Sequence, residues 1–271
     1  MNALSPGTHF TILGCGSSGG VPRLGGNWGD CDPGNPKNRR TRCSALVTRV
    51  GDDGGVTRVL IDTSPDMRSQ LLDADVGALD AVVYTHSHAD HMHGIDDLRM
   101  IVYNMRKRVP VWADSPTQTA LMSRFGYAFV QPEGSSYPPI LDLHTINSDV
   151  VIGGAGGGIR LTPFKVRHGN MDSLGFRIGD LAYLPDVSAI PEDVTHILQG
   201  LETFVIDALR RTPHPTHFSL DDALHWISQT GAKQGVLTNM HIDLDHATVE
   251  AETPGNVIAA FDGMVLPIQH P

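Results

Sequence analysis

Residues 85–94 read THSHADHMHG, a segment that holds four histidines and one aspartate and has no apolar stripe. His86 and His88 alternate just beyond an apolar run typical of a buried strand, so on an extended chain they project to the same side. Asp90 and His91 follow where the chain turns into a helix, so they can face a second point in space. One divalent transition metal usually accepts about four to six ligands in a defined geometry. The spacing therefore predicts half of a two-metal site.

Three further candidate ligands each follow a predicted strand. His168 ends FKVRH, Asp186 follows LAYLP, and His241 follows VLTNM. Because buried strands deliver the residues at their ends to a common edge, we expect these side chains to lie near the histidine segment. His93, the last histidine of that segment, is expected to support a ligand or to lie at the surface.

Short strands predominate in both halves of the sequence, and helical segments fall between groups of strands. The clearest helix is SLDDALHWISQTG (219–231), where Ser219 and Asp222 have the spacing of a capping box and Gly231 ends the helix. QGVLTNMH (234–241) is the last clear strand. No linker or repeat divides the chain, so we predict one domain over residues 1–271.

The charge and cysteine content bound the class of protein. The chain carries 20 Lys and Arg against 30 Asp and Glu, a net charge of −10, which disfavours a long nucleic acid as partner. Three cysteines without a CxxC motif suit a reducing compartment. The N-terminal sequence lacks the features of a signal peptide, and no apolar run approaches the ~18 residues of a membrane helix. We therefore expect a cytoplasmic protein with no membrane partner.

In their order along the chain, the candidate ligands resemble those of the metallo-β-lactamase fold superfamily, and the resemblance covers essentially the whole chain. It implies an α/β fold, an αβ/βα sandwich of two mixed sheets flanked by helices, with the metals at one edge. One ion would be held by His86, His88 and His168. The other would be held by Asp90, His91 and His241, with Asp186 bridging the two.

Two positions separate the branches of this superfamily. β-Lactamases carry a cysteine where this chain has Asp186, and the flavin-dependent di-iron branch carries a glutamate where it has His88. Four segments resemble the phosphodiesterase branch, which contains the cyclic-phosphate phosphodiesterase of phosphonate breakdown and, more distantly, the tRNA 3′-processing ribonuclease. These segments are GCGSSGGVP (14–22), CDPGNPKNRRTRCSALV (31–47), DHMHGIDDLR (90–99) and HFSLDDAL (217–224).

The chain departs from that branch in two places. Its early loop carries Cys31 alone, because Cys43 begins the next predicted strand, so we expect no structural zinc site there. The tRNA enzyme's basic arm has no visible counterpart, since GGAGGG (153–158) lacks nearby basic residues and is typical of a hairpin turn. Asp62 matches an early aspartate that supports the metal ligands, and a simple turn residue at a strand end is the alternative.

The implied function is hydrolysis of a small cyclic or nucleotide-like phosphodiester by a bridging hydroxide on two divalent ions, zinc or manganese, with iron also suitable. Two ions contribute +4, and two ligand aspartates and the hydroxide subtract three, leaving about +1 to face a singly charged diester. The candidate catalytic residues are Asp90, Asp186 and His217. His217 would act as general acid or phosphate ligand, and a surface histidine before a helix is the alternative.

Other readings of the sequence stay open. The same metal site would support a thioester or lactone hydrolase, or a non-catalytic metal-containing binding or biosynthetic accessory protein. A homodimer is plausible from the family. The basic loop with Lys37, Arg39, Arg40 and Arg42 either lines the substrate entrance or is simply solvated.

Overall fold

The computed structural model describes residues 4–269, which form 14 strands in two sheets of seven. In chain order the strands are β1 (Gly7–Gly14), β2 (Ser44–Val50), β3 (Val56–Ile61), β4 (Ala81–Val83), β5 (Val109–Ala113), β6 (Leu141–Thr145), β7 (Val150–Ile152), β8 (Ile159–His168), β9 (Met171–Ile178), β10 (Leu181–Leu184), β11 (Thr203–Asp207), β12 (Gln234–Thr238), β13 (Val257–Ala259) and β14 (Val265–Ile268). The first sheet has the order β14-β1-β2-β3-β4-β5-β6 and the second β13-β12-β11-β10-β9-β8-β7.

Both sheets are mixed, as the sequence predicts. In the first sheet the pairs from β3 to β6 are parallel and those from β14 to β3 antiparallel. In the second sheet the neighbouring strands from β10 to β13 run parallel to one another, and each neighbouring pair from β7 to β10 is antiparallel. Strands β8, β10, β11 and β12 therefore end at one edge. The polar residues that follow them collect there.

Six α-helices cover the sheets of the described part of the chain: α1 (Met67–Asp73), α2 (Ala89–Met92), α3 (Leu98–Met105), α4 (Ser115–Phe129), α5 (Leu220–Thr230) and α6 (His246–Glu252). The capping box predicted at α5 is present, with Ser219 and Asp222 bonded to each other's backbone and Gly231 in the left-handed conformation, φ 65°. None of the helices in residues 4–269 has the length and apolar character to span a bilayer.

One hydrophobic core lies between the sheets. It joins buried residues of the first sheet, such as Phe10 and Val47, to residues of the second, such as Phe164 and Phe176. A second buried cluster fills the space between the first sheet and α1, α3 and α4. This is the αβ/βα sandwich expected from the sequence, and the fold prediction is confirmed.

Two details differ from the sequence interpretation. The strand at 234–238 is followed by β13 and β14, whose runs of three and four residues are too short to stand out in the sequence. The other is a 3₁₀ helix at Glu192–Leu198, which the elements named from the sequence above do not include. The prediction of one domain over residues 1–271 reaches beyond the described residues at both ends and stays a prediction.

Candidate metal centre

Three histidine nitrogens meet in the gap between the ends of the two sheets. His86 and His88 lie on the segment after β4, and His168 is the last residue of β8 in the other sheet. His88 Nδ1 lies 3.0 Å from His86 Nε2 and 3.1 Å from His168 Nε2. The structure thus brings together the three residues that the sequence assigns to the first ion.

Hydrogen bonds outside this cluster fix the tautomers of two of the rings. His168 Nδ1 lies 2.7 Å from the carbonyl oxygen of Thr216, which can only accept, so this nitrogen donates. Thr85 Oγ1 donates to Asp62 Oδ2 at 2.7 Å and therefore accepts from His86 Nδ1 at 2.9 Å. The Nε2 atoms of both rings are thus unprotonated, and their lone pairs converge with the third ring on one point. A cation satisfies this arrangement, and imidazole suits divalent transition metals.

A second set of acceptors surrounds His91, which lies on α2. His91 Nδ1 donates to Asp62 Oδ2 at 2.8 Å, so its Nε2 faces Asp186 Oδ2 at 2.8 Å and Asp90 Oδ2 at 3.7 Å. Asp186 Oδ2 is buried and lies directly against His91 Nε2. An imidazole nitrogen and a carboxylate oxygen this close share either a proton or a cation, so the donor set also fits a second metal ion.

The pKa values follow from burial and from these charges. Burial holds the pKa of His86 well below its usual range, and the charge of His91 adds to the effect, so His86 is neutral as a ligand must be. Burial acts the same way on His91, but Asp186, Asp62 and Asp90 raise its pKa well above the usual range. In the protein alone, a proton on His91 thus balances the negative charge of Asp186. A bound metal ion would displace that proton.

A second network joins Asp186 to His217. His217 Nδ1 lies 2.9 Å from Asp207 Oδ2 and 3.3 Å from Asp186 Oδ1. Asn239 Nδ2 lies 3.0 Å from Asp186 Oδ1 and 3.1 Å from Asp207 Oδ1. Burial lowers the pKa of His217, but the hydrogen bond and charge of Asp207 together with Asp186 raise it to about 9. Burial raises the pKa of Asp207 to about 6.

These groups line one cavity of about 340 Å³. From the predicted set it is lined by His88, Asp90, Asp186, His217 and His241. It is also lined by Ser17, Ser18, Arg23, Arg210, His214 and Asn239. The glycine-rich segment 14–22 thus forms one wall. Two arginines and two serines give this polar cavity a surface suited to an anion.

Two predicted ligands lie apart from the closest clusters. Among residues 4–269, three groups have ligand atoms within 4.8 Å of one another, namely His86, His88 and His168; His86, His91 and Asp186; and His168, Asp186 and His217. Asp90 and His241 belong to none of them, although both line the cavity. His241 Nδ1 lies 2.9 Å from Asp243 Oδ1, and its Nε2 contacts the Arg23 guanidinium. Their assignment as ligands stays a prediction.

The basic loop is neither simply solvated nor part of this cavity. Arg40 is buried, 1% exposed, and donates to the carbonyl oxygens of His241 and Leu244. Arg42 forms a bidentate pair with Asp66. Arg39, Arg40 and Arg42 line a neighbouring cavity of about 590 Å³, which shares Ser18 and Arg23 with the metal-centre cavity.

The sequence analysis did not identify Asp207, Asn239, Arg23 or Arg210 as part of the site. Asp207 and Asn239 stand where strands β11 and β12 end, the same signal that identified Asp186. Arg23 has no local signal, because its contact with His241 joins distant parts of the chain. Asp62, by contrast, holds Thr85 and His91 as a supporting aspartate should. His93 is exposed, with its ring edge-on to Phe125 at 5.4 Å between centroids.

Comparison with known proteins identifies relatives of the whole chain. A family model described as a beta-lactamase superfamily domain matches residues 57–242. A solved structure described as a new diphosphatase from the PhnP family is 34% identical, with a TM-score of 0.84 over 97% of this chain and 98% of that one. The short form of human tRNase Z is 16% identical, with a TM-score of 0.64 over 96% of this chain and 99% of that one, which shows a shared fold.

A curated relative has a different description. An octanoyltransferase of Porphyromonas gingivalis (strain ATCC BAA-308 / W83) is 33% identical over 258 residues. The match covers 93% of this chain and 50% of that protein. The chain therefore spans half the length of the curated relative it matches.

Proposed function

The chain belongs to the beta-lactamase superfamily, in the branch that contains the PhnP family, and on that premise we propose that it is a metal-dependent hydrolase of small phosphodiesters. The observation that carries the proposal is the pair of possible metal-ligand sets whose atoms converge at one edge of the sandwich. The nitrogens of His86, His88 and His168 form one set, and His91 Nε2 with Asp186 Oδ2 forms the other. Both sets adjoin a polar cavity.

These residues would hold two divalent ions, with Asp90 and His241 completing the second set. Such ions, when bound, lower the pKa of a water molecule and neutralise charge on a phosphate group. Imidazole and carboxylate donors suit zinc, manganese and iron alike. The protein's own contribution is to orient the donor rings and to hold a proton on the far ring nitrogen of each, through Thr85, Asp62 and Thr216.

The remaining side chains of the cavity suit a phosphodiester. Arg23 and Arg210 place two positive charges on its wall, where they would attract and hold the anionic substrate. His217 donates from Nδ1 to Asp207, which leaves Nε2 to give a proton to the leaving oxygen. General acid catalysis of this kind contributes roughly 10²–10⁴ in rate.

The size and charge of the protein favour a small substrate. The cavity of about 340 Å³ accommodates a ligand of nucleotide size or smaller, and the net charge of −10 opposes a long polyanion. Because the PhnP-family structure is described as a diphosphatase, a phosphoric anhydride belongs in the substrate panel.

Octanoyl transfer is not proposed for this chain. Acyl transfer commonly needs an activated nucleophile such as a thiolate. Cys15, Cys31 and Cys43 are buried, and burial raises the pKa of each thiol. The match covers only half of the relative so described, so that protein's activity does not by itself belong to the matching half.

The test is hydrolysis by purified protein loaded separately with zinc and manganese. The substrates are bis(p-nitrophenyl) phosphate, 2′,3′-cyclic nucleotides and a nucleoside diphosphate, with a thioester and a lactone as alternatives. We expect chelator-sensitive turnover of the diesters that Asp186→Ala abolishes. Turnover of the thioester or lactone alone, or two bound metals with no turnover of any substrate, would overturn the proposal.

A further inference from the structure

Asn239 connects the two halves of the site through a single side chain. It follows β12, is 2% exposed, and has a left-handed backbone, φ 59°. Its Nδ2 lies within 3.1 Å of one oxygen of Asp186 and one oxygen of Asp207. We propose that Asn239 is a positioning residue that orients both Asp186 and His217, a role that rests on the proposed hydrolase function and deepens it.

The orientation of the Asn239 amide is determined by its surroundings. Its Oδ1 accepts from the Cys43 thiol, with 3.9 Å between the sulfur and the oxygen. Its two N–H groups are then matched by the two carboxylate oxygens, which can only accept when ionised. The reverse orientation would place the amide oxygen against both carboxylates. A neutral group with two donors therefore separates two buried, mutually repelling acids.

For Asp186, the hydrogen bond decides which oxygen is free. Oδ1 accepts from Asn239, whereas Oδ2 lies 2.8 Å from His91 Nε2. The carboxylate is thus fixed with one oxygen turned toward the metal ligands. Without the amide, Asp186 would be free to rotate, and its affinity for a cation would fall.

For His217, the same amide acts through Asp207. Asp207 Oδ1 accepts from Asn239, and Oδ2 accepts from the Val187 backbone at 3.1 Å and from His217 Nδ1 at 2.9 Å. His217 Nδ1 also lies 3.3 Å from Asp186 Oδ1, so two carboxylates compete for one proton donor. Asn239 holds Asp186 Oδ1 and so leaves the His217 ring aligned on Asp207.

The left-handed backbone of Asn239 allows a glycine substitution that removes only the side chain. Asparagine and glycine adopt the left-handed region more readily than other residues, so Asn239→Gly removes the amide without forcing the backbone to change. Asp75→Gly is the matched control, because Asp75 is exposed and has a similar φ of 55° at the end of α1, outside the site. A second variant, Asn239→Asp, keeps the size and places a third carboxyl group between the two acids.

The first measurement is zinc affinity of each folded variant by competition with a chromogenic chelator. We expect both Asn239 variants to bind the second zinc ion roughly 10–100-fold more weakly than wild type, in line with the loss of an outer hydrogen bond to a ligand. Asp75→Gly should bind both ions as wild type does. If Asn239→Gly and Asn239→Asp both keep wild-type zinc affinity, Asn239 does not position Asp186 and the proposal fails.

The second measurement separates positioning of His217 from general structural damage. On a 2′,3′-cyclic nucleotide, whose leaving alkoxide needs a proton, Asn239→Gly at saturating zinc should lower kcat more than on bis(p-nitrophenyl) phosphate, with KM little changed. In a His217→Ala background this difference between substrates should disappear. A fall in kcat that is equal on both substrates, or a difference between substrates that persists in the His217→Ala background, would show that Asn239 does not position His217. If the wild type cleaves neither diester, the proposed function fails, and zinc affinity alone decides the role of Asn239.

Discussion

Asp262 anchors the wall of the cavity, and its removal should change how stability depends on pH. Its two oxygens accept from the backbone N–H of Cys15 at 3.1 Å and of Thr41 at 2.7 Å, and from the Thr41 hydroxyl at 2.6 Å. Cys15 and Thr41 belong to the loops that carry the cavity's serines and arginines. Burial raises the pKa of Asp262 from 3.8 to about 6, in spite of these hydrogen bonds.

The sign and size of the effect follow from linkage. A carboxyl group with a raised pKa in the folded state stabilises the protein below pH ~4, and this stabilisation is lost as the pH rises through ~6. At about 1.36 kcal/mol per pKa unit the full effect is about 3 kcal/mol. Because Asp262 keeps some contact with solvent, we expect about 2 kcal/mol. Asp262→Asn removes the titration, so its stability relative to wild type should improve by that amount from pH 4 to pH 7.

The assay is urea unfolding of both proteins at pH 4, 5, 6 and 7, with chelator present throughout so that metal loss at low pH affects both alike. At pH 4 the variant should be the less stable protein, since the NH2 group of the amide cannot accept the hydrogen bond that one oxygen of Asp262 accepts. A stability difference that stays constant within about 0.5 kcal/mol over this range would refute the reasoning.

Three further outcomes follow from the contacts. Asp62→Asn should weaken zinc binding roughly 10–100-fold, because a neutral amide replaces the charged carboxylate that accepts the hydrogen bond of His91 Nδ1. Competition with a chelator tests this, provided that the variant keeps its secondary structure. Arg23→Ala should tighten zinc binding, since the guanidinium that contacts His241 Nε2 is gone; equal affinity would mean that His241 is not a ligand. Gly175→Ala should lower the free energy of unfolding by about 1–3 kcal/mol, because its Cβ would overlap the Phe164 ring, and a urea midpoint at the wild-type value would contradict that packing.

The candidate ligands could be located from the sequence because their signal is local. His86, His88 and His91 lie within one short segment, and His168 and Asp186 each follow an apolar strand, so strand direction alone brings them to one edge. Asp207 and Asn239 carry the same signal. A single polar residue at a strand end is, however, common in any sheet protein and does not identify a function by itself.

The arginines were harder to interpret because their partners are distant in sequence. Arg40 sits in a charged loop that suggests solvent exposure, yet carbonyl oxygens from the segment after β12 satisfy its guanidinium in the interior. Arg23 meets His241 only because two loops fold over the same edge. Local pattern cannot give such contacts, since they depend on how loops from both halves of the chain pack.

The hydrogen bonds around the candidate ligands favour a cation at the centre of the cluster. Thr85, Asp62 and Thr216 hold a proton on the far ring nitrogen of His86, His91 and His168, so the other nitrogen of each ring faces the centre. In the protein alone, His88 Nδ1 has at most one proton for the two Nε2 atoms about 3 Å away, and His91 keeps a proton against Asp186. A bound cation would satisfy these atoms together and would displace the proton on His91. A structural hydrogen-bond network would instead give each acceptor a donor of its own, and this difference is the physical reason for proposing a metal at the cluster.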